Sequence, residues 1–260
     1  MAKKIVLLLI IIVGISSCVP RKEMQYYRGV ENVAEQNVVN YNPILKQDDL
    51  LLIMVLAPKP ELAADFNLAP FNIVGDNLSF GRPDLANVQQ RYQTYLIDNE
   101  GFIEFPVLGR IQLGGMTRTE ALTALKAKLK DYINDPIVNL RILNYKVTVQ
   151  GEVVRPGVFT TTTERITLPE ALAMAGDLTV YGKRENILII REIDGKKESH
   201  FVDMTKSDFI NSPYYYLSQN DVVYVEPNKT KMNAAAVGPN ISIILSSASL
   251  LITIIALLIR

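Results

Sequence analysis

Reactive side chains are scarce in this chain of 260 residues, and that scarcity limits the chemistry open to it. It contains one cysteine, Cys18, and one histidine, His200. A single cysteine excludes a disulfide framework and a cysteine-built zinc site, and a single histidine excludes a multi-histidine metal site. The sequence also has no glycine-rich phosphate loop, no H-E-x-x-H motif and no G-x-S-x-G motif. We therefore expect no catalytic residue, no metal site and no cofactor.

Two other groups of side chains have a possible chemical role. His200 lies in an expected strand, and a pair with the carboxylate of Asp203 is conceivable, although a solvated surface histidine is the commoner arrangement. Tyr214, Tyr215 and Tyr216 are consecutive, and aromatic faces stack well on the apolar faces of sugar rings. Packing in a loop or at a subunit interface is the competing interpretation of these three rings.

Cys18 lies at the end of an N-terminal targeting pattern. Lys3 and Lys4 precede an apolar run, Ile5–Ile15, of 11 residues, which is typical of a secretory signal peptide. As a helix this run is roughly 16 Å long, too short for a hydrocarbon core of about 30 Å. Residues 15–18 resemble a bacterial lipobox, which implies cleavage by signal peptidase II between Ser17 and Cys18 and lipid attachment to Cys18. The alternative is an ordinary signal peptide with an incidental cysteine.

Composition argues for a folded body between two apolar ends. The chain is 48% apolar and carries 27 basic and 27 acidic residues, which excludes a disordered chain and a strongly basic nucleic-acid binder. Its mean hydropathy of +0.14 is high for a globular body. The excess comes from the N-terminal run and from residues 241–259.

The C-terminal segment 241–259 has no charged residue. Nineteen residues at ~1.5 Å each give roughly 28 Å, about one membrane crossing, so a transmembrane helix is predicted. Four hydroxyl side chains follow helical spacing on one narrow stripe: Ser242, Ser246, Ser249 and Thr253. The stripe fits a membrane anchor whose small residues let helices pack closely, and it also fits a ring of helices whose hydroxyls line an aqueous pore.

The middle of the chain alternates strand and helix patterns. Leu50–Leu56 predicts a strand, and residues 57–92, rich in proline and glycine, predict a long irregular insertion. Residues 95–105 indicate a hairpin that turns at Gly101. Thr117 begins a capping box that opens an amphipathic helix.

An internal repeat at an offset of 50 residues links the two halves of this body. Gly101 and Pro106 recur as Gly151 and Pro156, and the helix start at Thr117 recurs at Thr167. Each unit consists of a hairpin, a connector and a capped helix. The repeat predicts an α+β fold made of two small αβ modules in tandem.

Three stretches of the first module resemble the polysaccharide export domain. Residues 45–55 are similar to the opening of that domain, although the family usually has glycine where this chain has Asp48. Residues 98–109 resemble its most specific stretch, in which a glycine, a proline and a second glycine recur at fixed spacing. Residues 114–122 fit its G-x-T-x-x-E-A helix start.

The second module is similar to a soluble-ligand-binding β-grasp (SLBB) domain. The similar stretches are residues 147–159, 168–176 and 217–225. Together, the two modules make the chain resemble the outer-membrane polysaccharide export lipoproteins of the Wza type. The best-known exporters carry more than one β-grasp module, whereas this chain has room for one.

The resemblance and the patterns together predict a domain organisation. It comprises a signal peptide (1–17), a lipidated tether (18–41), an export domain (42–144), an SLBB domain (145–228), a linker (229–240) and a transmembrane helix (241–259).

The resemblance also implies a function and a set of partners. We expect an outer-membrane lipoprotein, with its main body in the periplasm, that forms a homo-oligomeric ring for export of capsular or extracellular polysaccharide. The resemblance then favours the interpretation that the stripe from Ser242 to Thr253 lines a pore. The expected partners are the polysaccharide, membrane lipid and an inner-membrane polysaccharide co-polymerase, often with a tyrosine kinase, and no nucleic acid. The alternatives are a lipid-anchored periplasmic glycan-binding module and a glycan-modifying enzyme.

Overall fold

The protein folds as two successive αβ domains, each with its own apolar core. The computed structural model describes residues 24–32, 41–69, 71–73, 89–91, 93–161, 163–193, 195–237 and 241–258. One core is built from residues between Leu45 and Leu140, and the other from residues between Tyr145 and Val225. This mixed α and β content in two tandem domains agrees with the predicted α+β fold.

A three-stranded antiparallel sheet organises the first domain. β1 (Leu50–Leu56) lies between β4 (Tyr95–Leu96) and β7 (Ile137–Ile142). The predicted strand 50–56 is confirmed with the same bounds. Its alternate side chains Leu51, Ile53 and Val55 are buried in the core, as the two-residue period of a strand requires. The remaining elements of this domain are α1 (Pro60–Ala64), β2 (Phe71–Ile73), β3 (Gln89–Arg91), β5 (Phe102–Phe105), β6 (Gly109–Gln112) and α2 (Arg118–Leu129).

The hairpin predicted over residues 95–105 is wrong in its pairing. The tight turn exists, because the Asp98 N–H donates to the Phe102 carbonyl at 2.8 Å and the Gly101 N–H donates to the Asp98 carbonyl at 3.0 Å. Its two strands nevertheless separate, since β4 pairs with β1 and β5 pairs with β6. Gly101 has a φ of +85°, and a Cβ on Gly114 would lie 2.6 Å from the Gly101 Cα, so these two backbones touch.

Helix α2 closes the first core. Thr117 and Glu120 form the predicted capping box: the Thr117 hydroxyl accepts from the Glu120 N–H, and the Glu120 carboxylate accepts from the Thr117 N–H. The buried side chains Ala121, Leu125 and Leu129 then follow the helical period and pack into the core below the sheet.

A mixed five-stranded sheet forms the second domain. Its order is β12 (Lys196–Val202), β11 (Gly182–Ile193), β14 (Val222–Pro227), β8 (Lys146–Gly151) and β9 (Gly157–Thr160). Only β14 and β8 are parallel among these described strands. The short strands β10 (Ile166–Thr167) and β13 (Tyr216–Leu217) pair separately, and a 3-10 helix covers Asp208–Asn211.

Helix α3 (Leu168–Met174) packs on this second sheet and repeats the local design of α2. Thr167 and Glu170 form a second capping box, which confirms the repeated helix start. Gly176, at a φ of +77°, follows the end of the helix. Leu168, Ala171 and Leu172 are buried against the second core.

The described part of the N-terminal segment lies on the second domain. The Tyr27 N–H donates to the Met204 carbonyl at 3.1 Å, and the Arg28 N–H donates to the Thr205 carbonyl at 2.8 Å. A short 3-10 helix, Val30–Asn32, follows. Residues 24–32, within the segment predicted as a tether, are thus attached to the body of the protein.

Two helices complete the described chain, α4 (Lys229–Val237) and α5 (Ile241–Leu258). The predicted C-terminal helix therefore forms. Its membrane-crossing character is not supported, because no helix within the described ranges has the length and apolar character that a membrane crossing requires.

Candidate functional site

Two buried aspartates occupy equivalent turns, one in each domain. Asp49 immediately precedes β1, and its carboxylate accepts the Lys46 N–H at 2.8 Å. Asp221 immediately precedes β14, and its carboxylate accepts the Ser218 N–H at 2.7 Å. Neither aspartate has measurable solvent exposure. The same three-residue hydrogen-bonded turn therefore starts a central strand in both domains.

The residue before each aspartate adopts the left-handed conformation. Asp48 has a φ of +64° and Asn220 a φ of +67°. Glycine adopts this region most easily, and aspartate and asparagine are the side chains that tolerate it best. This requirement explains why Asp48 can stand where the export family usually has glycine.

Asn144 connects the two turns. Its side-chain oxygen accepts the Leu50 N–H at 2.9 Å, and its side-chain nitrogen donates to the Asp48 carbonyl at 2.8 Å. The Asn144 carbonyl in turn accepts the Gln219 amide at 2.9 Å, while the Gln219 oxygen accepts the Lys146 N–H at 2.7 Å. We call the set Asp48, Asp49, Asn144, Gln219 and Asp221 the domain joint.

Further contacts join the domains around this joint. The Lys46 ammonium donates to the Glu192 carbonyl at 3.1 Å, and Arg118 pairs with Glu164 at 3.0 Å. Ile142 packs against both apolar cores. Polar bonds and apolar packing together therefore fix the relative orientation of the two domains.

Two tyrosine hydroxyls meet one backbone carbonyl beside the joint. Tyr41 and Tyr145 donate to the Leu217 carbonyl at 3.0 Å and 2.6 Å. Burial raises the pKa of Tyr145, so its hydroxyl stays protonated and remains a donor.

The two aspartates differ in how their burial is compensated. Asp221 faces the Arg191 guanidinium, which donates to both carboxylate oxygens at 2.7–3.1 Å and to the Tyr216 carbonyl at 2.9 Å. Burial raises the pKa of Asp221, and the Arg191 charge opposes that rise. The ion pair is bidentate and almost fully buried, and charge-assisted hydrogen bonds of this kind are strong.

Asp49 has no such counterion. Its Oδ1 is buried without a hydrogen-bond partner, and burial raises the pKa of Asp49 to about 6. The Lys46 charge and the Gln219 amide lower that pKa, and the exposed Asp48 carboxylate raises it. Asp49 is therefore a buried group that changes its charge close to neutral pH.

The arrangement holds the two domains together. No group of three or more histidine, cysteine, aspartate or glutamate side chains that could hold a metal ion occurs among the described residues. The His200 ring lies 3.1 Å from Glu198 and stacks on Tyr214 at 4.3 Å. The carboxylate beside His200 is therefore Glu198, and the conceivable pair with Asp203 is not formed.

The residues singled out in the sequence lie apart from the joint. Cys18 and Ser17 fall outside the described residues. Ser246, Ser249 and Thr253 are exposed on α5, where the Thr253 hydroxyl donates to the Ser249 carbonyl at 2.9 Å. Ser242 belongs to the same helix.

Of the members of the joint, only Asp48 stood out in the sequence, as a departure from the glycine usual in the export family. A signal for them exists, because residues 46–50 and 218–222 share a pattern of glutamine, aspartate or asparagine, aspartate and an apolar residue. Alignment of these two stretches would have identified both aspartates as equivalent positions. Their burial and the bridge through Asn144 depend on residues almost a hundred positions away.

Comparison with known protein families assigns both domains. A family model described as polysaccharide biosynthesis/export protein matches residues 37–143, and an SLBB domain model matches residues 145–225. The chain carries a polysaccharide export domain followed by an SLBB domain. Asn144 is the single residue between the two matches, and it is also the residue that bridges the two turns.

Two curated relatives carry matching names. The "EPS I polysaccharide export outer membrane protein EpsA" of Ralstonia nicotianae is 29% identical over 181 residues, which cover 68% of this chain and 45% of that protein. The protein of the same name from Ralstonia solanacearum is 30% identical over 139 residues, covering 52% of this chain and 36% of that protein. The chain therefore spans less than half the length of these relatives.

Proposed function

We propose that this chain is an outer-membrane lipoprotein whose copies form a ring for export of capsular or extracellular polysaccharide. The observation that carries the proposal is the tandem of export and SLBB domains, joined rigidly through Asn144. The names of the two Ralstonia relatives support the same role and an outer-membrane location. The main body would lie in the periplasm.

Lipid attached to Cys18 would hold the N-terminus to the membrane. The basic start, the short apolar run and the lipobox-like residues 15–18 support this part of the proposal. Polymer synthesis, or an inner-membrane co-polymerase with its tyrosine kinase, would drive export, because no nucleotide-binding motif occurs in the sequence.

Helix α5 would contribute to the lumen of the ring where it meets the outer membrane. In this arrangement the hydroxyls of Ser242, Ser246, Ser249 and Thr253 would line the passage. Six large apolar side chains of α5, among them Ile243 and Leu257, are 45–71% exposed, so neighbouring copies or lipid would have to cover them. A neutral hydroxyl lining would suit hydrated sugar chains with little selection by charge.

Cys18→Ala tests the lipid anchor and the export role together. In a strain that lacks the native protein, the variant should take up no radioactive palmitate, leave the outer-membrane fraction and fail to restore surface polysaccharide. Ser17→Ala, which keeps a small residue before the cleavage point, is the matched control. Palmitate labelling of the Cys18→Ala protein would contradict the anchor.

A lipid-anchored glycan-binding module is the second candidate. A depression of about 220 Å³ beside β12 supports it, because the exposed ring of Phe201 lies there with Asp203 and Lys206. Native mass spectrometry of the detergent-extracted protein distinguishes the two functions. A stable ring favours the exporter, and a monomer favours the binding module.

A further inference from the structure

Both ends of the folded body attach to one loop of the second domain. The Tyr26 hydroxyl donates to the Asp177 carboxylate at 2.7 Å, and the Arg184 guanidinium lies 5.1 Å from the Tyr26 ring centre. At the other end of the same loop, the Tyr181 carbonyl accepts the Asn228 N–H at 2.7 Å, just before helix α4. The N-terminal segment and the C-terminal helices therefore leave the domain side by side.

Chain length places the proposed lipid attachment near this loop. Tyr26 lies eight positions after Cys18, and a chain of that length reaches at most about 28 Å. A compact domain of this size is roughly 30 Å across. Lipid on Cys18 would therefore keep the side of the domain that carries Asp177 within about 28 Å of the membrane surface.

Exposed apolar side chains cluster on that side. Val180 is 62% exposed, Tyr181 39% and Val154 59%. The Val154 N–H donates to the Asp177 carbonyl at 3.0 Å, which ties Val154 to the loop. We call Val154, Val180 and Tyr181 the loop patch.

Basic side chains lie next to the loop patch. Arg155 follows Val154 and Lys229 follows Asn228 in the chain, and both side chains are exposed. The Lys231 ammonium lies 5.2 Å from the Tyr181 ring centre and 3.9 Å from the Glu152 carboxylate. The Asp177 carboxylate accepts the Tyr26 hydroxyl. Exposed apolar and aromatic side chains next to cations fit the boundary between acyl chains and phosphate headgroups.

We propose that the loop patch is the membrane-contacting surface of the folded body, with Val154, Val180 and Tyr181 inserted among the lipids of the leaflet that holds the Cys18 anchor. Lys229 and Arg155 bind the phosphates of that leaflet. The export domain then points away from the membrane. This inference rests on the proposed lipid anchor, and it adds the orientation of the body and the residues that touch lipid.

The absence of tryptophan from the sequence gives a direct test. Tyr181→Trp places the sole tryptophan in the loop patch, and Tyr132→Trp places it on an exposed site of the export domain that is 56% accessible. Each acylated full-length protein is reconstituted into vesicles of phosphatidylethanolamine and phosphatidylglycerol, with or without bromine on the acyl chains. Val180→Trp is a second probe if Tyr181→Trp does not fold.

The loop-patch tryptophan should emit at shorter wavelength in vesicles, and brominated lipid should quench it several-fold more strongly than the Tyr132→Trp control. Equal quenching at both sites, in protein that floats with the vesicles, overturns the loop patch while leaving the anchor intact. A wavelength shift without quenching indicates a protein contact and also overturns it. Failure to float removes the anchor and, with it, this orientation.

Discussion

At the scale of single residues, Asp49 and Asp221 show how one turn is used in two electrostatic environments. Both carboxylates are buried and both accept a backbone N–H from three residues earlier. Asp221 has a guanidinium partner in Arg191, whereas one oxygen of Asp49 is left without a hydrogen bond. Burial of the carboxylate therefore lowers stability at Asp49, whereas the Arg191 guanidinium offsets the same cost at Asp221.

Asp49→Asn tests the charge state of the buried carboxyl. Burial raises its pKa to about 6, above an unfolded value near 4, so the folded state binds this proton more tightly. The stabilisation from tighter proton binding at Asp49 is therefore complete at pH values below the pKa of the unfolded state. It is lost as the pH rises through the pKa of the folded state.

Relative to Asp49→Asn, the wild-type protein should lose up to about 3 kcal/mol in free energy of unfolding between pH 4 and pH 7.5. Denaturant unfolding at each pH measures the difference. Asp48→Asn, at the exposed neighbouring position, should retain most of the wild-type pH dependence. A constant difference between wild type and Asp49→Asn would show that Asp49 is charged throughout this range.

Arg191→Ala tests the forked ion pair of the second domain. The substitution leaves the Asp221 carboxylate buried without its counterion, which should lower the free energy of unfolding by about 3–5 kcal/mol. Arg191→Lys keeps the positive charge but loses the two-pronged guanidinium contact with the carboxylate. Its free energy of unfolding should therefore lie between those of the wild type and Arg191→Ala. Arg110→Ala removes an exposed arginine that contacts Asp98 and Glu100, and it should lower the free energy of unfolding far less than Arg191→Ala. Equal losses at positions 191 and 110 would contradict the assigned burial.

At the scale of elements, the joint makes two domains behave as one body. Asn144 satisfies backbone groups in the turn before β1 and is itself held by Gln219 from the turn before β14. A ring assembled from two-domain subunits requires a fixed angle between those domains, because each subunit must present the same surfaces to its neighbours. The bonds around Asn144 provide such a constraint.

Asn144→Ala should loosen this joint. It leaves the Leu50 N–H and the Asp48 carbonyl without their partner and should cost about 1–3 kcal/mol. Hydrogen-exchange mass spectrometry should show faster exchange in both turns, residues 46–50 and 218–222. Asn139→Ala, at an exposed position on β7, is the matched control. Faster exchange in the first turn alone would mean that Asn144 stabilises one domain and does not couple the two.

At the scale of the whole molecule, the apolar surface of α5 is left for contacts beyond the single chain. Such an uncovered surface is uncommon on a monomer, and it favours assembly or lipid contact. Under the proposed function, the hydroxyl stripe of this helix faces the lumen and its apolar side chains face outward.

Replacing Ser242, Ser246, Ser249 and Thr253 together by leucine tests the lumen assignment. The variant should still assemble, because apolar contacts are retained, but surface polysaccharide should fall severely because the passage becomes narrower and apolar. Ser247→Leu, off the stripe, is the control and should export normally. Undiminished export by the stripe variant would show that these hydroxyls do not line the passage.

Features that depend on neighbouring residues can be predicted from the amino-acid sequence alone. The capping boxes at Thr117 and Thr167 and the bounds of β1 follow from short-range patterns, and the structure has them as predicted. The tandem of two αβ modules was likewise visible in the repeat. Such features are local because their hydrogen bonds join residues within one or two turns.

Contacts between distant segments depend on how the whole chain packs. The divergence of β4 and β5 at Gly101, the bridge from Asn144 to both turns and the attachment of Tyr26 to Asp177 join segments that local patterns do not relate. The burial of Asp49, and hence its raised pKa, arises in the same way. Charge, burial and partner choice are set by the packed environment, because a side chain loses its water only when remote parts of the chain cover it.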